Sequence, residues 1–120
     1  MYNKREIGGN KEAQAAKYLL QEHYSIIECN YFCRAGEIDI VAQDGEYLVF
    51  VEVKYRKNTK VGYPEEAINR NKIQALVKTA RNYLYRHGMS FEIPCRFDVI
   101  VILDEEIKLY KNAFDLNDAY

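Results

Sequence analysis

Between Lys11 and Glu22, Ala15, Ala16 and Leu19 recur at helical spacing among strong helix formers, with Gly8, Gly9 and Asn10 just before them as a start signal. The pattern predicts an amphipathic first helix. Glu12 lies three, four and seven residues ahead of that apolar set, so it is expected on the buried face. Three β-like runs follow, Ser25 to Cys33, Glu37 to Ala42 and Tyr47 to Tyr55. Gln43-Asp44-Gly45-Glu46 reads as the hairpin turn between the last two, because Asp-Gly tolerates the positive φ such turns need. Leu48 to Val51 is apolar without alternation, the mark of a central strand covered on both faces.

The polar segment Arg56 to Glu66, broken by Gly62 and Pro64, reads as a surface loop. A long second helix is predicted next, with Ile73, Leu76, Val77, Ala80, Tyr83 and Leu84 on one stripe and Gly88 as its stop. Phe91 to Leu103 carries the β-branched run Val99 to Ile102, and Ile107 to Tyr110 adds a short edge strand. The order is α-β-β-β-α-β with a last strand. A helix between the third and fourth strands makes that pair parallel, so an α/β fold with a mixed central sheet flanked by helices is expected.

Composition narrows the class. With 120 residues, 48% hydrophobic and 13% aromatic, the chain suits one folded domain over residues 1–120 and is too apolar for a disordered segment. Its net charge is −1, so a polyanion must be met by a local basic surface. No stretch approaches ~18 uninterrupted apolar residues and the N-terminus has no secretory pattern, so no membrane contact and a cytoplasmic location are expected. Cys29, Cys33 and Cys95 are an odd set without CxxC pairs, read as buried reduced thiols.

The candidate chemistry lies on the second and third strands. Glu52 and Lys54 are two residues apart and share a strand face, while Asp39 on the hairpin partner is placed to approach Glu52 across the ladder. Glu52 and Lys54 alone are equally readable as a buried ion pair. The further acids, Asp39 and Glu12, tilt the reading towards a divalent cation, because buried carboxylates need compensation. Oxygen ligands suit Mg²⁺ or Mn²⁺, with Lys54 placed to stabilise charge on a transferring phosphoryl group and Glu12 to complete the shell. Glu37, opening its strand behind Gly36, is a second-line candidate, equally suited to turn chemistry.

Asp39 followed thirteen residues later by Glu52-Val53-Lys54 resembles the signature of the restriction-endonuclease-like, or PD-(D/E)xK, nuclease superfamily. The wider set Asn30, Arg34, Gly36-Glu37-Ile38-Asp39, Phe50 to Arg56, Gly62, Lys72, Tyr83-Leu84 and Arg96-Phe97-Asp98-Val99 is similar to the YraN family of uncharacterised, endonuclease-like bacterial proteins. The resemblance runs from Glu12 to Phe114. It departs at Lys11, where these proteins often have Gly, and at Ile38-Asp39, where the superfamily has Pro-Asp. The resemblance implies a restriction-endonuclease-like core, Asp39 and Glu52 as metal ligands, Lys54 as the catalytic lysine and Glu12 as the first-helix acid of resolvase-like members.

Arg56, Lys57 and Lys60, which follow the site strand, and Lys72, on or beside the second helix, are the candidate nucleic-acid contacts, with a merely solvated loop an equal alternative. Two functions stand side by side. One is a Mg²⁺-dependent nuclease acting on DNA, including branched or damaged forms, with a homodimer or protein partner compatible with cutting two strands. The other is a module that keeps the fold but docks on nucleic acid or a repair protein without cleaving.

Overall fold

The computed structural model describes residues 10–56, 69–104 and 106–114. Helix α1 (Asn10–Gln21) leads into strands β1 (Ser25–Cys33), β2 (Gly36–Asp44) and β3 (Tyr47–Arg56), then helix α2 (Arg70–Arg86) and strands β4 (Cys95–Leu103) and β5 (Glu106–Phe114). The sheet order is β1-β2-β3-β4-β5, with β3 and β4 parallel and every other pair antiparallel. This is the expected α-β-β-β-α-β order and mixed sheet. Two details differ. The fourth strand starts at Cys95, not Phe91, and the edge strand is nine residues long because a bulge extends its pairing to Phe114. None of the helices described is long and apolar enough to cross a membrane.

The apolar run on β3 is buried on both sides. Val49 and Val51 pack with Ala15, Ala16 and Leu19 of α1, while Leu48 and Phe50 pack with Leu76, Val77, Ala80, Tyr83 and Leu84 of α2. Tyr83 meets both Tyr31 and Phe50 edge-on, at ring separations of 5.1 and 5.7 Å, which anchors α2 on the sheet. Gly36 permits this close approach: a Cβ there would lie 3.1 Å from Thr79 Oγ1, at a φ of +157°. Both ends of α2 are capped. Asn69 accepts from the Lys72 N–H, and beyond the last turn Gly88, with φ +65°, allows Met89 N–H to reach Leu84 O at 2.9 Å.

On the α1 face, at the hairpin end, a second polar cluster is buried. Asp98 accepts from Tyr24 (2.6 Å), from Arg96 (2.9 and 3.0 Å) and from the Asn112 N–H (2.9 Å). Arg96 also pairs with Asp44 at 2.7 Å. The Asn112 contact closes the β5 bulge, where Asn112 takes φ +54°. Burial, then the bond to Asp98, hold the Tyr24 phenol well above its usual range. Asp98 is therefore structural, as its sequence context suggests. The three cysteines are free thiols, but each is half-buried, because the edge strand β1 and the first residue of β4 are only partly covered.

Asp98→Ala should destabilise the protein by about 3 kcal/mol, since Arg96 keeps only Asp44 while the Tyr24 hydroxyl and the Asn112 N–H lose their acceptor. Urea unfolding compared with Tyr24→Phe, expected to cost only about 1 kcal/mol, checks this.

Candidate functional site

The sheet divides at one place. Strand β2 pairs with β3 from Asp44↔Tyr47 to Ile40↔Val51, yet stays with β1 as far as Gly36↔Cys33. Strand β3 meanwhile stays with β4 as far as Arg56↔Leu103. Beyond Ile40 the two central strands part, and Asp39 and Glu52 are the first residues on either side of the split. The Asp39 side chain fills it by accepting the Val53 N–H at 2.8 Å, taking the place of a ladder partner.

Side-chain alternation slips at the same level. Cys29 and Ile40 lie in the α1-side cluster, whereas Tyr31 and Ile38, two residues away on the same strands, lie in the α2-side cluster. Asn30, opposite Asp39, has φ +57°, a left-handed conformation that accounts for the turn-over in β1. With its amide nitrogen oriented towards the acids, Asn30 lies 3.2 Å from both Glu12 oxygens and 3.3 Å from Glu37 Oε2. Glu12, half-buried on α1, also hydrogen-bonds the Asp39 carboxyl. Asp39 thus sits between an acid from α1 and one from β3.

Glu52 faces α2 and is 5% exposed. Its Oε2 receives two ammonium groups, Lys54 Nζ and Lys72 Nζ, each at 3.2 Å. Among the described residues no ammonium or guanidinium pairs with Asp39. Burial, then the Glu52 charge, push its carboxyl up to about 8; the Val53 N–H opposes this, and Glu12 adds to the rise. The Cys29 thiol nearby is pushed up to about 11, by burial first and Glu12 second. An open apolar pocket of about 550 Å³ adjoins on the α2 side, lined by Ile73, Val99, Leu109, Tyr110 and Phe114. Val99 is the register partner of Glu52, so pocket and acid share a sheet face.

The structure therefore brings together Glu12, Asp39, Glu52 and Lys54, as expected, and places Glu37 at the exposed rim. Lys72 joins them, but as an ion-pair partner of Glu52. Arg56 lies four residues beyond Glu52, about 13 Å along the strand, where its guanidinium donates to Tyr55 O. Lys57 and Lys60, and the loop breakers Gly62 and Pro64, fall outside the described residues. Among those described, no three His, Cys, Asp or Glu side chains form a complete metal-binding cluster. Asp39 and Glu52 are the two carboxylates here that could contribute oxygens to a hard ion, one that keeps several waters or takes phosphate oxygens. Sequence reasoning assigned no role to Asn30; an asparagine inside a strand, a residue type that tolerates positive φ, was the available signal.

The model of "Uncharacterised protein family UPF0102" matches residues 11–102. The chain belongs to UPF0102. Among relatives, the UPF0102 protein of Lachnoclostridium phytofermentans is 54% identical, over 94% of this chain and 96% of its own length. That of Persephonella marina is 42% identical over 92% and 94%, and that of Hahella chejuensis 43% identical over 80% and 77%. The stretch that identifies UPF0102 here contains every described member of the acid and lysine cluster.

Two outcomes follow. Between about pH 4 and pH 8 the folded chain holds a proton on Asp39 that the unfolded chain has lost, so this group makes stability fall as pH rises through that window. Asp39→Asn should flatten the decline, read as melting temperature against pH in metal-free buffer. Asn30→Val should be about 1–2 kcal/mol less stable than Asn30→Gly, because only glycine keeps the left-handed backbone without strain; chemical denaturation measures the difference.

Proposed function

We propose that this UPF0102 protein is a divalent-cation-dependent nuclease that hydrolyses phosphodiester bonds in DNA, with branched and damaged forms as the substrates to screen first. The observation that carries this reading is the half-buried Asp39 carboxyl beside Glu52 at the split between β2 and β3, with Lys54 on Glu52. Lys54 and Lys72 compensate Glu52, but Asp39, set between Glu12 and Glu52, is paired with no ammonium among the described residues, so its charged form is costly unless a cation joins it. The helix-strand-strand-strand-helix-strand order with acids on the second and third strands supports a restriction-endonuclease-like assignment by fold analogy.

Asp39 and Glu52 would hold Mg²⁺ or Mn²⁺. When bound, such an ion supplies Lewis-acid polarisation and neutralises phosphate charge. The chain's own groups do the rest. Lys54, tethered on the strand that carries Glu52, keeps an ammonium beside the reacting phosphate and opposes the charge that develops there. Glu12, held by Asn30, offers a half-buried carboxylate able to accept a proton from an attacking water.

A second reading, a nucleic-acid-binding or repair-partner module without cleavage, draws on a specific observation: Glu52 already carries two ammonium partners, which balance its charge without a divalent cation. Calorimetric titration with Mg²⁺ and Mn²⁺ separates the two readings. For a nuclease, Asp39→Ala and Glu52→Ala abolish cation binding and cleavage together, while Lys54→Ala keeps the cation but lowers kcat about 100-fold or more. A folded protein that binds DNA, takes up no cation and cleaves none of the branched or linear substrates is the module.

A further inference from the structure

Glu52 accepts two ammonium groups on a single oxygen, Oε2, with Lys54 and Lys72 each 3.2 Å away. A divalent cation on that carboxylate would add two further positive charges beside both lysines, so at least one must withdraw. The two lysines differ in how easily they can do so. Lys54 stands on β3 itself, with its side chain 19% exposed, and remains beside Glu52 wherever its head turns. Lys72 comes from the first turn of α2 with its side chain 40% exposed, so its flexible stem can return the ammonium to water at small cost. Nothing acidic on that turn competes for the freed charge, because the first turn of α2 carries no Asp or Glu. The neighbouring Arg70 is exposed as well, which adds positive potential on the same side.

We propose that Lys72 is an exchangeable counter-ion: it holds Glu52 while the site lacks a divalent cation, and on cation binding it moves to a phosphate of the nucleic acid. This rests on the function proposed above and specifies how that site is controlled. Cation and nucleic acid then assist each other. The cation frees the phosphate-binding lysine, and phosphate capture of Lys72 removes the competitor of the cation; by linkage the two effects are equal in size. No covalent step is involved. Lys72 acts as a binding group whose availability is set by what occupies Glu52.

The test uses the full chain as wild type, Lys72→Met, Lys72→Arg and Glu52→Gln. Mg²⁺ and Mn²⁺ affinities are measured by calorimetry, and binding of a fluorescein-labelled DNA oligonucleotide by anisotropy with and without Ca²⁺. Lys72→Met should bind the cations about fivefold more tightly than wild type, the scale of one partly exposed ion pair, whereas Lys72→Arg should not. Ca²⁺ should strengthen oligonucleotide binding by wild type and by Lys72→Arg but hardly by Lys72→Met. Unchanged or weaker cation binding in Lys72→Met, with Glu52→Gln abolishing it, overturns the exchange and leaves the cation site standing. Unchanged cation binding in Glu52→Gln overturns the cation site and the exchange together. If Lys72→Met fails to fold, Lys72→Gln takes its place. Should both neutral variants unfold while Lys72→Arg does not, the pair is a fixed structural bridge and the exchange is refuted.

Discussion

Strand β3 runs through the middle of the sheet with a helix packed on either face, so any polar group it carries beyond its apolar half must find a partner inside the protein. Val49 and Phe50 meet this constraint by being apolar. Glu52 meets it by gathering ammonium groups from its own strand and from α2. The separation of β2 from β3 at the same level exposes backbone donors that a ladder would otherwise use, and the Asp39 carboxyl takes one of them. The candidate site is thus a local break in pairing at the covered centre of the sheet, stabilised by side chains in place of backbone partners.

The two acid clusters differ in how far each carboxylate is satisfied by its neighbours. Asp98 is surrounded by donors: a phenol, a guanidinium and a backbone N–H. Its charge is spoken for, and it anchors the β5 bulge. Among the described residues Asp39 meets the Val53 N–H and the acids Glu12 and Glu52, and its carboxyl is driven towards the neutral form. Asp98 is buried and Asp39 half-buried, and the identity of the neighbours decides how far each charge is satisfied.

Each helix delivers one element of the cluster. Helix α1 contributes Glu12, steered by Asn30 from β1, and α2 contributes Lys72 from its capped first turn. Gly36, at the head of β2, lets α2 lie close to the strand that carries Asp39. Packing of the helices and assembly of the acids are therefore the same event, so substitutions in either apolar cluster will reach the site through geometry. The match to UPF0102 over residues 11–102 spans both helices and the four strands that build this arrangement.

Much of this was legible in the chain before any coordinates. A period of 3.6 located both helices, and runs of β-branched and aromatic residues between turn signals located the strands, because burial on one stripe or in a sheet dictates where such residues stand. The Glu52-Val53-Lys54 spacing placed an acid and a lysine on one strand face, and the Asp-Gly turn put Asp39 opposite. What only the tertiary structure decided depends on contacts distant in sequence. The β5 bulge needs Asp98 to receive Asn112, which no local pattern encodes. Asn30 reverses the alternation of β1 through its backbone conformation, invisible to a reading of apolar periods. Lys72 reads as one more basic residue on a helix until α2 is docked, and only then does it become the second cation on Glu52, because ion pairing is set by proximity in space and not along the chain.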